Sequence, residues 1–379
     1  MPKLLFATTI AASLEGFLAD LALHFRAKGW RVDAMASGVS SSEKCRDAFD
    51  AVWEVNWSRN PLSPNNLLQA PAQVRNAVER VRFDLVHVHT PNAAFVLRFA
   101  LRNLRKARPR ALIYTAHGFH FHPQGNRLWN LAFAGLERLA GRWTDYLLVI
   151  NRTDEEAAKK LGIVRPDRLR YLPGIGIDSG RFDRHSVSEE QVADLRRELQ
   201  IEPQNPVFTI AAEFTTNKRH RDALEALARL KRPDVQLLLA GTGPHMEAMK
   251  RLAIGLGVEG QARFLGFRRD MPVLMRASNA VVLCSQREGL PMCVLEAMSL
   301  GVPVIGTKIR GTADLLEPDV GLLVGVGDVD GLVGAMSKVI EEPHAVTVMA
   351  HKGLQRIRAY GRDGIVRSHE SLYDEALRS

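Results

Sequence analysis

Residues 279–307 read NAVVLCSQREGLPMCVLEAMSLGVPVIGT. The apolar run NAVVLCS has the length and composition of a buried strand, and VPVIGT has the same character. Between them, Gly289, Leu290 and Pro291 make a turn, and Pro291 suits the first turn of a helix, where a missing N–H costs nothing. Strand, turn, helix and strand within 29 residues form a βαβ unit, which belongs to a parallel sheet covered by helices on both faces.

The same rhythm runs outward in both directions. Residues 3–9 of MPKLLFATTIAAS read as a first strand feeding a helix with Phe17, Leu18, Leu21 and Phe25 at helical spacing. The opening loosely imitates a secretory leader, but its letters are those of a buried strand. GWRVDAMAS, FDLVHVHT, ALIYTAHG, DYLLVIN and LRYLPG follow as further strands. The pattern pauses in LPGIGIDSGRFDRHSVSEE and restarts with PVFTIAAEF, VQLLLAGTG, ARFLGF, NAVVLCSQ and VPVIGT. An α/β chain of two Rossmann-like domains with mostly parallel sheets is expected, residues 1–177 and 178–362, the last helix at about 363–379 packing back on the first domain. In such sheets ligands lie beyond the carboxyl ends of the strands, so function belongs in the loops that follow them.

The 379 residues are 46% hydrophobic, enough for two cores, and no apolar run reaches the length of a membrane span. Cys45, Cys284 and Cys293 have neither zinc-ligand nor paired spacing and read as packed thiols in a reducing, cytoplasmic setting. The formal charge of +9 comes without interleaved aromatics or a nucleic-acid motif, which disfavours a nucleic-acid partner. An anionic membrane surface or a phosphorylated substrate suits it better. In FVLRFALRNLRKARPR, spacings of three and four put Arg98, Arg102 and Arg105 along one helical side. That side is either a solvated face or a patch docking on an anionic membrane.

Glu288 and Glu296 stand eight positions apart around the Gly-Leu-Pro turn. Gly289 and Leu290 offer backbone donors at a positively polarised helix end, which favours an anionic or oxygen-rich ligand. Glu296 can accept hydrogen bonds from vicinal hydroxyls such as those of a ribose. By itself the pair equally fits an ordinary cap and one solvated glutamate. His117, His120 and His122 form H-x-x-H-x-H, but the segment does not read as a helix that would converge the rings, so no metal is expected. Gly243, in LLLAGTGP, is either a backbone approach to a nucleotide or a tight strand-to-helix turn.

The phrase REGLPMCVLEAMSLGVPVIGT resembles the donor-site signature of retaining family 4 glycosyltransferases of the GT-B fold, two facing Rossmann-like domains with the nucleotide sugar held mainly by the second. VHVHTP, YTAHGFHF, YLLVINRTDEEAAKKLG, RLRYLPGIGID and ARFLGFRRDMPVLMRASNAVVLCSQREG extend the likeness over most of the chain, towards bacterial enzymes of capsular and exopolysaccharide assembly. The resemblance implies that Glu288 holds donor-sugar hydroxyls, Glu296 the ribose, and His117 stands near the reacting centre. Lys218, in AAEFTTNKRHRD, matches the lysine that neutralises the leaving diphosphate. Glu213 stands where many relatives carry an arginine, so Lys218 needs help from Arg219, Arg221 or the helix end. Arg268, in GFRRD, falls where relatives read the base, usually uracil. Asn92, Phe119 and His120 are the acceptor-side candidates.

The implied reaction moves a hexosyl or N-acetylhexosaminyl group from a UDP-sugar to a polyprenyl-diphosphate-linked saccharide at the inner face of the cytoplasmic membrane. It retains configuration and needs neither metal nor resident cofactor. Two other readings stay open: a GT-B epimerase, which would turn over donor without acceptor, and a non-catalytic binding module in which Glu213 marks a degraded diphosphate site.

Overall fold

The computed structural model describes residues 1–58, 63–122 and 125–378. Two units emerge: Met1–Ile175 together with the stretch from Asp363 onward, and Gly176–Arg362. Ile177 belongs to the second because it bridges to Gly361 and its N–H donates to the Tyr360 carbonyl at 2.9 Å.

The first unit holds β1 (Lys3–Ile10), β2 (Arg31–Ser37), β3 (Ala51–Glu54), β4 (Leu85–His89), β5 (Ala111–Ala116), β6 (Tyr146–Val149) and β7 (Leu169–Tyr171). They lie in the order β3-β2-β1-β4-β5-β6-β7, and every adjacent pair is parallel. Strand alternation divides their side chains between two cores. Leu5 and Ala7 join one with Val86 and Val88, while Leu4 and Phe6 join the other with Val32 and Ala34. The C-terminal helix Arg362–Arg378 adds Ile365, Leu372, Tyr373 and Ala376 to the second of these cores. Full burial of a large apolar side chain contributes about 1.5–3 kcal/mol, which anchors this helix on the first sheet although it follows the second unit in sequence.

The second unit holds β8 (Val207–Ala211), β9 (Gln236–Ala240), β10 (Ala262–Gly266), β11 (Ala280–Leu283), β12 (Val304–Thr307) and β13 (Leu322–Val324), in the order β10-β9-β8-β11-β12-β13 and again parallel. Each sheet reverses its direction of growth once, between β1 and β4 in the first and between β8 and β11 in the second. Loops diverge at such a switch point and leave room for a ligand beyond the strand ends.

Candidate functional site

In the second unit the loops after β8 and β11 meet at the switch point. The Gln286 N–H donates to the Asn217 carbonyl at 2.8 Å, and Asn217 Nδ2 donates to the Arg287 carbonyl at 3.0 Å. These bonds hold Lys218 against Glu288, with Nζ donating to Oε1 at 2.7 Å. The two side chains are 23% and 14% exposed, so the pair is screened from bulk water yet reachable. Burial works to lower the Lys218 ammonium. The adjacent Glu288 carboxylate, by charge and hydrogen bond and with help from Glu213, outweighs it and holds the ammonium above its ordinary range.

Pro291 caps the helix Met292–Ser299, one position before its first residue. Glu296, one turn in, is largely enclosed, and burial pushes its carboxyl up to about 7, with Arg181 opposing. Cys293, beside Lys218 and Glu288, is pushed by burial to about 12 and stays a thiol. The loop after β12 adds Arg310, whose Nε donates to the Glu288 carbonyl at 3.2 Å. Gly311 follows at φ +77°, and a Cβ there would come within 2.2 Å of the Gly289 carbonyl oxygen, so only glycine lets the two loops touch. Asn217 Oδ1, His220 Nε2, Ser285 Oγ and Thr312 Oγ1 are buried around these loops without a hydrogen-bond partner. Buried polar atoms are rarely left so, and their concentration beside one pair of loops marks a functional region.

Several expected contributors are engaged elsewhere. Arg219 pairs with Asp222 at 2.6 and 2.8 Å, and Arg221 pairs with Glu225 at 3.2 Å. Arg310 is the neighbouring cation that the sequence reading missed; its only signal was a place just past the carboxyl end of a strand. Glu213 is exposed, close enough to Lys218 to favour its charged form. Arg268 is bound at 2.8 Å by Asp270 and at 2.9 Å by Glu198, which commits the guanidinium expected to read a base. Gly243 has a packing reason: a Cβ on it would lie 2.6 Å from the Phe214 backbone nitrogen.

In the first unit, β1, β4 and β5 end together. Thr9 and Thr90 share a hydroxyl bond of 2.7 Å, and His117, half-buried after β5, has its Nε2 2.9 Å from His89 Nδ1. The His117 ring stacks between His89 and Phe17, with centroids 5.2 and 5.7 Å away. Behind them His87 bonds Tyr373 Oη at 2.6 Å and Thr115 Oγ1 at 2.7 Å. Burial lowers His87, His89 and His117, reinforced by neighbouring histidines, and His117 titrates at about 4. All three rings are therefore neutral at pH 7, and the His89–His117 bond carries one shared proton. The fold thus makes a histidine cluster, but from VHVH and His117 rather than from H-x-x-H-x-H. Among the described residues no group of three or more metal-binding side chains forms.

Two expectations are corrected. Phe119 is not at a ligand surface: its ring is 2% exposed in the first core, stacked on Phe121 at 4.8 Å, because its backbone N–H is drawn to buried Asp154. Asn92 is half-buried and His120 exposed, and both border the same cavity. Arg98, Arg102 and Arg105 do not share a helical face. The helix Pro91–Leu101 ends before the latter two, and Arg98 is wholly buried, with Nη2 donating to Glu137 Oε2 at 2.8 Å. Arg102 lies over the Phe99 ring at 3.6 Å, and Arg105 is exposed in the loop that follows the helix.

Comparison with known proteins agrees with this architecture. The family model described as Glycosyltransferase Family 4 matches residues 14–179, and that described as Glycosyl transferases group 1 matches residues 191–363. The chain is 29% identical over 98% of its length to 96% of EpsD of Bacillus subtilis (strain 168), whose glycosyltransferase name is itself provisional. It is 26% identical over 70% of its length to 68% of the UDP-Gal:alpha-D-GlcNAc-diphosphoundecaprenol alpha-1,3-galactosyltransferase of Escherichia coli. The structure of HepE from Anabaena in complex with UDP superposes with a TM-score of 0.81, covering 98% of this chain and all of that one at 22% identity.

Proposed function

From the premise that this chain belongs to the family 4 glycosyltransferases of the GT-B fold, we propose that it transfers a hexosyl or N-acetylhexosaminyl group, with retention, from a UDP-sugar to a polyprenyl-diphosphate-linked saccharide in bacterial surface polysaccharide assembly. The observation that carries the reading is the Lys218–Glu288 pair at the switch point of the second unit, with Glu296 on the helix that follows. A galactosyltransferase acting on a lipid-linked acceptor among the relatives supports the choice of donor and acceptor.

In this reading Glu288 orients donor hydroxyls, Glu296 accepts from the ribose, and Lys218 with the Gly289 and Leu290 amides stabilises the departing diphosphate. The leaving diphosphate itself assists attack of the acceptor hydroxyl on the same face. His117, neutral and held by His89, offers a hydrogen bond to a sugar hydroxyl at the strand ends of the first unit without adding positive charge. The enzyme works at the inner face of the cytoplasmic membrane; among the described residues no helix is long and apolar enough to cross one.

The test is nucleotide release from a panel of UDP- and GDP-sugars, with and without polyprenyl-diphosphate-linked acceptors, and the anomer of the product by NMR. Acceptor-dependent release with retention is expected. Isomerised donor without acceptor would indicate an epimerase, and binding without turnover a non-catalytic module.

Activity is expected to survive excess EDTA, because the leaving charge is met by Lys218 and backbone amides. Loss reversed by magnesium or manganese would contradict this.

A pH profile tests Glu296. Its carboxyl titrates at about 7, so lowering the pH protonates it and removes the acceptor for ribose hydroxyls. Donor KM is expected to rise about fivefold from pH 7 to pH 6, the change in ionised fraction, and to lose this dependence in Glu296→Gln. His117, at about 4, does not titrate in that window. The fold binds this proton more tightly than the unfolded chain does, so Glu296 weakens stability as pH rises from the ordinary carboxylate value through 7.

A further inference from the structure

A cavity of about 260 Å³ opens in the first unit between the helices Pro91–Leu101 and Arg127–Gly141, with Leu67, Phe95, Val96, Phe133 and Leu136 among its walls. Asn92 and His120 border it near the carboxyl edge of the sheet, while Glu137 in its wall is paired internally with Arg98. A sugar needs a hydrogen-bonding partner for each buried hydroxyl, and these walls offer few; hydrocarbon needs none.

The apolar surface continues past the rim. Leu67 and Leu136 are 58% and 42% exposed, and Leu68, Leu128, Trp129, Leu131 and Leu139 are 41–78% exposed. On the helix Arg127–Gly141, Leu128, Leu131, Ala132, Gly135 and Leu139 follow one another at spacings of one, three and four and form an outward stripe. The one acidic residue of that helix, Glu137, is turned inward, whereas Arg127 and Arg138 are exposed, as is Arg142 just beyond. Its solvent side is thus apolar and cationic, the inverse of an ordinary surface helix, and continuous exposed apolar area of this kind marks an interaction site.

We propose that the cavity and the stripe form one binding site for the hydrocarbon chain of an anionic amphiphile, the lipid carrier of the acceptor. At about 30 Å³ per water-sized group the cavity holds roughly eight or nine methylene-sized groups, close to two isoprene units. The stripe takes the chain beyond them, and the three arginines favour an anionic lipid over a neutral one. The proposal rests on the lipid-linked acceptor read above and assigns its chain a place.

The probe is undecyl diphosphate below its micelle concentration, titrated while tryptophan emission is followed. Trp129 is 60% exposed, with its ring 5.9 Å from that of Phe133 in the cavity wall. A saturable blue shift is expected, absent in Trp129→Phe, with affinity at least tenfold weaker in the rim variant Leu67→Lys/Leu136→Lys. Both rim residues are exposed, and circular dichroism and the melting temperature confirm that the variant folds. Its KM for a polyprenyl-linked acceptor is expected to rise at least tenfold while donor KM stays unchanged.

Absence of a saturable shift, or a shift undiminished in the rim variant, overturns the site. A shift with phosphatidylglycerol vesicles but none with monomeric undecyl diphosphate assigns the stripe to the bulk membrane and also overturns it. The two readings separate cleanly. Rim-dependent binding without transfer to any lipid-linked acceptor removes the proposed function and keeps the site, whereas transfer with an unchanged acceptor KM in the rim variant does the reverse.

Discussion

Replacing Glu288 with Gln is expected to lower kcat by about 10²–10³-fold, the scale of losing one preorganised polar contact at a reacting centre. Oε1 of Glu288 holds the Lys218 ammonium at 2.7 Å, and the backbone carbonyl of the same residue accepts from Arg310. Gln preserves shape and one hydrogen bond to Lys218 but removes the negative charge, so it disturbs the lysine's position and, in the proposed role, the orientation of the sugar. The carboxylate lies in a loop outside the apolar cores, and the melting temperature should change little. Steady-state kinetics with a competent donor and acceptor, beside a thermal melt, make the test. A variant of wild-type rate would remove Glu288 from the site, and one that is simply unfolded would make it structural.

Replacing Arg98 with Ala is expected to cost about 3–5 kcal/mol of stability, because it leaves the buried Glu137 carboxylate without its partner. Arg98 is wholly buried. Its Nε donates to the Ala94 carbonyl at 2.9 Å, its Nη2 to Glu137 at 2.8 Å, and its guanidinium lies 4.3 Å from the centre of the Tyr114 ring. Against a total of about 5–15 kcal/mol for a typical domain, such a loss is severe. The double variant Arg98→Met/Glu137→Leu should recover most of it, since neither charge is then stranded. Arg105→Ser, in an exposed loop, should stay within about 0.5 kcal/mol. Urea unfolding of the four proteins decides the matter: equal effects of Arg98→Ala and Arg105→Ser would refute the buried pair.

The parallel α/β architecture was legible because buried strands announce themselves as short apolar runs and amphipathic helices as a 3.6-residue period, both local properties of the chain. Glu288 and Glu296 were legible for the same reason: one turn and one helix fix their separation. Lys218 and Glu288 are 70 residues apart, and what joins them is the sheet order that sets β8 beside β11. His89 meets His117 across β4 and β5, and His87 meets Tyr373 across 286 residues. No periodicity encodes such meetings, because they depend on which strands pair and which helix covers them.

The basic segment at 95–110 shows the limit most plainly. Its letters allowed a charged outer face, since a long side chain with an apolar stem and a cationic end fits either environment. Glu137, 39 residues further along, decides the outcome by pairing with Arg98 inside the fold. That pairing leaves the outer surface of the helix Arg127–Gly141 apolar and positive. The sequence by itself determined the strands, the helices and the spacing of neighbouring carboxylates, because backbone geometry is repeated every few residues. The tertiary structure alone decided which charges are buried together and which apolar side chains remain outside, because burial is a property of neighbours that the chain brings from far away.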